Sequence, residues 1–457
     1  MAAENATVGR GKSRRCAVYV LAPTSIALLG FYHLTGVVLA GDADVLQHSS
    51  GIYDMDVKRV VVDFTSSHPG LRTSVHPLQK LLVAPVGARL GALLGGDALA
   101  AARTIVAFAV SLNAALVGWL AWLLTGGACG AALLACLIAG ASFSSVLAAS
   151  VPESAALASL GAVAPLLLLS GRRHKTFSWG EAVAWGAMLC FCIALTVTQV
   201  VNGLIALAVR VAFARREGGT RVLRPVLARA ALALALGAGL TFLGVEVQAR
   251  AYPGTPRFYA EQPVSGERPF LRTTAAVTTP LRQAGRLATH FLVIDSAAPL
   301  PAYSDFLLRD WGIQSWSLSA EEAGAESWRP AQLAIVALLL ALIGSVVVWG
   351  RWRDPRLVAP AACLAFHFAL HLVYGREYVL YSPHWHGVGV AMLVAAGWNG
   401  ALRRRVAGFA VAVLCLALLV NDVVVMRAVY REVAHGLGAD VRDIHGRPVA
   451  SPPGATP

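Results

Sequence analysis

The chain has 457 residues, 57% of them hydrophobic and only 14% charged, with a formal net charge of +13. Soluble domains carry about a quarter charged residues, so this composition excludes an ordinary soluble domain, and the lack of short alternating apolar segments excludes a β-barrel. The positive charge sits between apolar runs, as topology signals do, which argues against nucleic acid as a partner.

Apolar runs of about 18–25 residues predict an all-α, polytopic membrane protein with about eleven transmembrane helices. The first span covers 16–40. Arg10, Lys12, Arg14 and Arg15 precede it, place residues 1–15 in the cytoplasm, and are not followed by a clear cleavage site. The opening loop, 41–97, then lies outside. Within it, 55–64 reads as a helix with Val57, Val61 and Phe64 on one face and Asp56, Arg59 and Asp63 on the other. The segment 76–96 is long enough to cross, yet Pro85, Lys80 and Arg89 interrupt it. Counting it as a span would put Arg172, Arg173 and Lys175 outside, so it is read as a helix lying in the interface.

Further spans are expected at 98–125, 130–149, 153–170, 178–198, 200–214, 230–248, 331–350, 357–374, 386–401 and 406–424. Four Arg-rich loops then share one side: Arg172/Arg173/Lys175, Arg215/Arg216/Arg221/Arg224, Arg351/Arg353/Arg356 and Arg403/Arg404/Arg405. Residues 16–424 thus form one membrane body, and 425–457 an outside tail, partly disordered. Two other outside segments stand out. The loop 249–330 includes another expected amphipathic, interface-lying helix at 278–295, and the turn 374–386 is dense in polar and aromatic groups.

Chemistry-bearing residues gather at these outside segments. Asp54, Asp56 and Asp63 are carboxylates near the lipid surface. They fit either surface ion pairing with Arg59 or a general base or cation ligand at a cavity mouth. Arg72, His76 and Lys80 surround the start of the interface helix, where Pro77 suits a first helical position. They fit phosphate binding or simple interfacial anchoring. Glu153, in SVPES, fits a helix cap or a cavity wall. Arg376, Glu377, Tyr381, His384 and His386 crowd one turn, and His367 and His371 lie four residues apart on the preceding helix. An anion or sugar site explains that cluster best, and no carboxylate-plus-His spacing fixes a metal there. The cysteines, Cys16, Cys129, Cys136, Cys190, Cys192, Cys363 and Cys415, lie in or beside apolar runs without metal-site spacing. Walker A, dinucleotide-binding and HExxH motifs are absent.

The order of these segments resembles the GT-C superfamily of membrane glycosyltransferases, which includes protein O-mannosyltransferases and aminoarabinose transferases. YDMD (53–56) resembles the family's acidic motif after the first span. His76-Pro77-Leu78, followed by Gln79-Lys80-Leu81-Leu82, resembles its His-Pro-Pro-Leu segment without the second proline. SVPES (150–154) is placed like its short outside turn, and 249–330 like its second large outside loop. The resemblance implies an enzyme of the bacterial inner membrane with its active site facing outside. It implies sugar transfer, with inversion, from a polyprenyl-phosphate donor to a glycan, lipid or protein acceptor of the cell envelope. Asp54 or Asp56 would be the base, and some members hold a divalent cation, Mg²⁺ or Mn²⁺, near that acid. Arg72, His76, Lys80, Arg376, Glu377, Tyr381, His384 and His386 would bind the donor, with Asp63, Glu153 and His371 as further candidates. Two other classes remain open: a lipid or sugar-lipid transporter, which needs ionisable groups deep in the spans, and a non-catalytic envelope scaffold.

Overall fold

A computed structural model describes residues 16–40, 57–70, 72–171, 177–218, 223–259, 302–308, 313–319, 354–374 and 381–399, with the single positions 409, 413, 417 and 420. Twelve α-helices dominate the described residues. In chain order they are α1 (Ala22–Ala40), α2 (Val57–Thr65), α3 (Gln79–Leu93), α4 (Ala98–Leu124), α5 (Cys129–Ala141), α6 (Phe143–Ser150), α7 (Ala155–Gly171), α8 (Trp179–Leu195), α9 (Gln199–Gly218), α10 (Leu223–Ala251), α11 (Pro355–Val373) and α12 (His386–Asn399). A π-helical turn, Ala17–Leu21, leads into α1 directly before Pro23, whose missing N–H interrupts the helical ladder.

Helix α4 is the hub. Asp97 caps it by accepting from the Ala100 N–H at 2.8 Å, and Gly126 and Gly127, both at positive φ, end the turn beyond it. Its 27 residues make a rod of about 40 Å, longer than the ~30 Å hydrocarbon layer. Helices α1, α3, α5, α6, α7 and α12 all pack on it. One apolar core gathers Trp185, Phe177, Leu120 and Leu166; a second gathers Tyr32, Phe64 and Val106. Tyr32 donates its buried hydroxyl to the Gly140 carbonyl at 2.6 Å, which fastens α1 to α5.

Helices α4 and α10 are long and apolar enough to cross a membrane, and a third span results if α5 and α6 count as one. Large apolar side chains on α10, such as Phe242 and Leu243, stay exposed, as lipid contact requires. The protein is therefore read as a membrane protein. The larger count of about eleven spans is not carried by these helices. Helices α7 and α8 have 17 residues each, and the expected spans 331–350 and 406–424 fall almost entirely outside the described residues.

Three sequence expectations change. The span expected over 130–149 is broken: α5 and α6 meet at 61°. Ser142 takes an extended conformation there and its hydroxyl accepts from Ser145 N–H, so one residue ends α5 and caps α6. The all-α expectation gains an antiparallel β-hairpin, β1 (Ala302–Leu308) with β2 (Ile313–Ser319), within the 249–330 loop; the expected helix at 278–295 lies outside the described residues. Helix α2 buries Val57, Val60, Asp63 and Phe64, so Asp63 does not lie on a solvated face. Arg59 pairs with it at 3.3 Å, which makes that burial tolerable. Helix α3 has 15 residues, about 22 Å, short of a full crossing, and lies across α2 and α4.

Near the start of α8, Glu181 and Arg210 of α9 form a buried ion pair at 2.6 Å.

Candidate functional site

The site begins with a loop that has almost no regular structure but many tethers. Residues 66–78 connect α2 to α3. Gly70 N–H donates to the Thr255 hydroxyl at 2.8 Å, and the Thr73 hydroxyl donates to the Pro256 carbonyl at 2.9 Å. Gln248 of α10 donates to the Pro77 carbonyl at 2.8 Å and accepts from Leu81 N–H at 2.9 Å. On the other flank, Val197 N–H donates to the Val75 carbonyl at 2.9 Å and Leu78 N–H to the Ala194 carbonyl at 3.3 Å. The joint between α8 and α9 is non-helical at Thr196, and this frees the backbone groups that hold the loop.

Arg72 sits in that loop at φ 54°, the left-handed region that an L side chain enters at a cost. Its carbonyl accepts from Val75 and His76 N–H, both at 3.0 Å. His76 follows one turn later and is buried. Its Nδ1–H donates to the Leu195 carbonyl at 2.7 Å, which leaves Nε2 with the lone pair. Burial holds its proton affinity well below the usual imidazole value, and Arg59, Arg72 and His384 push it further down against the help of that hydrogen bond.

Arg72 and His76 line a cavity with an empty volume of ≈ 510 Å³, open mouth included. Glu153 and Ser154 enter it from the turn between α6 and α7. Thr196 and Thr198 enter from the α8–α9 joint, His371 and Tyr374 from the end of α11, and Tyr381 and His384 from the turn before α12. Glu153 is 4% exposed and accepts from the Ser154 N–H at 2.6 Å, at the start of α7. The carboxylate is therefore both a helix-end group and a cavity wall. His384 is pushed down to about 4 by burial.

Six candidates from distant parts of the chain thus meet: Arg72, His76, Glu153, His371, Tyr381 and His384. Others do not line the cavity. Lys80 is buried and donates to the Val62 carbonyl at 3.1 Å, with its ammonium 5.3 Å from the Tyr252 ring centre, so it ties α3 to α2. Asp63 is held by Arg59 under α2. His386 is buried at the start of α12 without lining the cavity. Asp54, Asp56, Arg376 and Glu377 lie outside the described residues, and with them the divalent cation expected at Asp54 and Asp56.

Sequence reasoning did not select Ser154, Thr196, Thr198 or Tyr374. Thr196 and Thr198 carry a faint signal, two alternate hydroxyls where one apolar run gives way to the next.

A second concavity is apolar, with an empty volume of ≈ 910 Å³. Leu189 and Ile193 of α8, Leu204 of α9, and Leu234, Ala238 and Phe242 of α10 line it. Helix α8 connects it to the polar cavity: Ile193 faces the groove, and Thr196 faces the cavity. No family model matches the chain, and neither does any curated protein or solved structure.

Proposed function

We propose that this protein is an integral membrane glycosyltransferase that takes a sugar from a polyprenyl-phosphate donor and gives it to an envelope acceptor on the outer side. The observation that carries the reading is the convergence of Arg72, His76, Glu153, Tyr381 and His384 in one cavity. These come from the three segments that the GT-C resemblance singled out, far apart in sequence. The apolar groove beside the cavity supports a lipid donor. Its volume and its apolar lining, aliphatic and aromatic, suit part of a prenyl chain, whose phosphate would then lie at the Arg72 end.

In the proposed reaction, a carboxylate takes the proton from the acceptor hydroxyl, and the oxygen forms a bond to the anomeric carbon. The bond from that carbon to the phosphate oxygen breaks on the opposite face, so the centre inverts and prenyl phosphate leaves. Asp54 or Asp56 is the proposed base. They directly precede α2, whose Arg59 is close enough to His76 to depress its proton affinity. Glu153 is the carboxylate that the cavity itself offers among the described residues. Arg72 would neutralise the leaving phosphate. His76 and His384 are held neutral, so their share is hydrogen bonding rather than charge.

The test is a transfer assay in lipid nanodiscs with a panel of labelled polyprenyl-monophosphate sugars. Wild type should consume one donor and release prenyl phosphate. Arg72→Ala should slow that by about 10²-fold or more, as loss of one charge-stabilising group does. Asp54→Asn, Asp56→Asn and Glu153→Gln identify the base. If no donor is consumed or bound, the enzyme reading fails and a lipid-flux assay takes its place.

A further inference from the structure

His367, His371 and His384 form a buried triangle at the wall of the cavity. Each offers a ring nitrogen, and the three nitrogens lie within 4.8 Å of one another. The ring centres are 6.2 Å apart for His367–His371, 6.2 Å for His367–His384 and 6.4 Å for His371–His384. All three side chains are nearly or fully buried.

We infer that these three histidines are a binding site for a transition-metal dication of the zinc type, with its fourth position open to the cavity. Spacing is the first argument. His367 and His371 are one turn apart on α11, so one helix face presents both, and the turn before α12 brings His384 against them. Tautomer is the second. The His371 Nδ1 lies 3.2 Å from the Tyr374 carbonyl, and a carbonyl only accepts, so Nδ1 carries the proton and Nε2 the lone pair. The His367 Nε2 lies 3.0 Å from the Asn202 side-chain amide. The atom there is the Asn202 amide nitrogen, which also donates to the Gln199 Oε1. With both amides turned, the Asn202 oxygen accepts from His367 Nε2–H and from the Gln199 amide, and the His367 lone pair moves to Nδ1. That Nδ1, and the Nδ1 of His384, are buried without a hydrogen-bond partner among the described residues. A carbonyl or amide holding the far nitrogen is the outer support that metal-bound histidines have.

The donor set decides the ion. Three neutral imidazoles suit Zn²⁺, Co²⁺ or Ni²⁺, whereas Mg²⁺ and Mn²⁺ prefer oxygen. Around a tetrahedral Zn²⁺ with Zn–N of about 2.0–2.1 Å, ring centres lie about 5 Å apart, so the triangle must close by about 1 Å on loading. His371 and His384 line the cavity while His367 does not, so the open position faces the space occupied by a ligand oxygen, from water or phosphate. Glu153 in the same cavity offsets part of the added charge. The site is independent of which reaction the protein performs.

The test uses full-length protein with a tag free of histidine, stripped by chelator in nanodiscs and reloaded with Zn²⁺ or Co²⁺. One equivalent of Zn²⁺ per chain should remain after desalting, and Co²⁺ should give the intense visible bands of a four-coordinate site. His371→Gln and His384→Gln should each lose the bound metal at least tenfold while staying monodisperse; the exposed His68→Gln should keep it. Wild type with no retained metal and no tetrahedral Co²⁺ spectrum overturns the inference, even if the variants misfold. So does equal retention by folded His371→Gln and His384→Gln, and then the rings are aromatic packing for Trp385 and Tyr381, whose ring centres lie 4.8 and 5.0 Å from that of His371.

Discussion

Arg72 combines a strained backbone with the cation of the cavity, and substitutions separate the two. Arg72→Ala removes the guanidinium but keeps the left-handed φ, whereas Arg72→Gly removes the guanidinium and the strain together. The glycine variant should therefore be more stable than the alanine variant by about 1 kcal/mol, seen as a higher melting temperature by tryptophan fluorescence. Both should lose donor binding alike. Equal melting would mean that the turn carries no strain. His76 makes a pH prediction. Its proton affinity is low in the folded protein, from burial first and then Arg59, Arg72 and His384. Below about pH 6.5 the unfolded imidazole takes up a proton that the folded one refuses, so stability falls as pH falls. Above that pH both forms are neutral and the contribution is flat. Replacing His76 with Asn removes one titrating group. The loss between pH 6 and 5 should shrink by up to about 1.4 kcal/mol per pH unit; an unchanged slope would show that His76 is not held neutral.

At the scale of elements, the meeting of α2 and α3 depends on one missing side chain. A Cβ on Gly87 would lie 2.8 Å from the Phe64 carbonyl carbon and closer still to its oxygen. Backbone cannot swing aside as a long side chain can. Gly87→Ala should cost about 1–3 kcal/mol and loosen the cavity loop that α2 and α3 anchor. Gly91→Ala, whose Cβ would meet Ala101 at an ordinary 3.9 Å, should be nearly silent. Comparing the two by melting temperature tests the contact, and equal losses would refute it. This pair also shows what local pattern can and cannot tell. GARLG and GALLG, with glycines four apart, mark a helix face open to close packing, but only the fold distinguishes the glycine that is tight from the one that is not. The apolar runs located α4, α7, α8 and α12 within a few residues. Run length missed the break at Ser142, because a serine in an apolar run is equally at home in a helix, where it bonds back to the preceding turn, and at a cap. The helical periodicity of 55–64 put Asp63 on the wet face because Arg59, four residues before it, pairs with it in water and in a buried setting alike.

Across the whole molecule, the helix directions separate two ends. α7 and α9 leave the cavity, at Ala155 and just past Thr198, and α12 leaves it just past His384. α8 and α11 arrive there, at Thr196 and His371, and α10 arrives beside its loop, at Thr255. The opposite ends adjoin Arg172 and Arg173 after α7, Arg215 and Arg216 at the close of α9, Arg224 in the first turn of α10, Arg353 before α11 and Arg403 after α12. Every described helix from α7 on therefore has a cavity end and a basic end, although no local signal told the sequence which residues would meet. Arg72, Glu153 and His384 are brought together because each adjoins a helix that begins or ends at this end of the bundle, and the spacing of the Arg-rich segments in the sequence marks the opposite end. Positive charge stays in the cytoplasm, which would turn the cavity outward. The prediction is checked in a variant with all seven native cysteines replaced, carrying one new cysteine at a time. His68→Cys, exposed in the loop beside the cavity, should react with a membrane-impermeant maleimide in intact cells stripped of any outer barrier. Arg173→Cys should react only after the membrane is opened. The reverse pattern would turn the cavity to the cytoplasm, where an envelope acceptor could not reach it. Labelling of both from one side would mean that α7 and its neighbours do not cross at all, and the Arg-rich loops would then need an explanation other than topology.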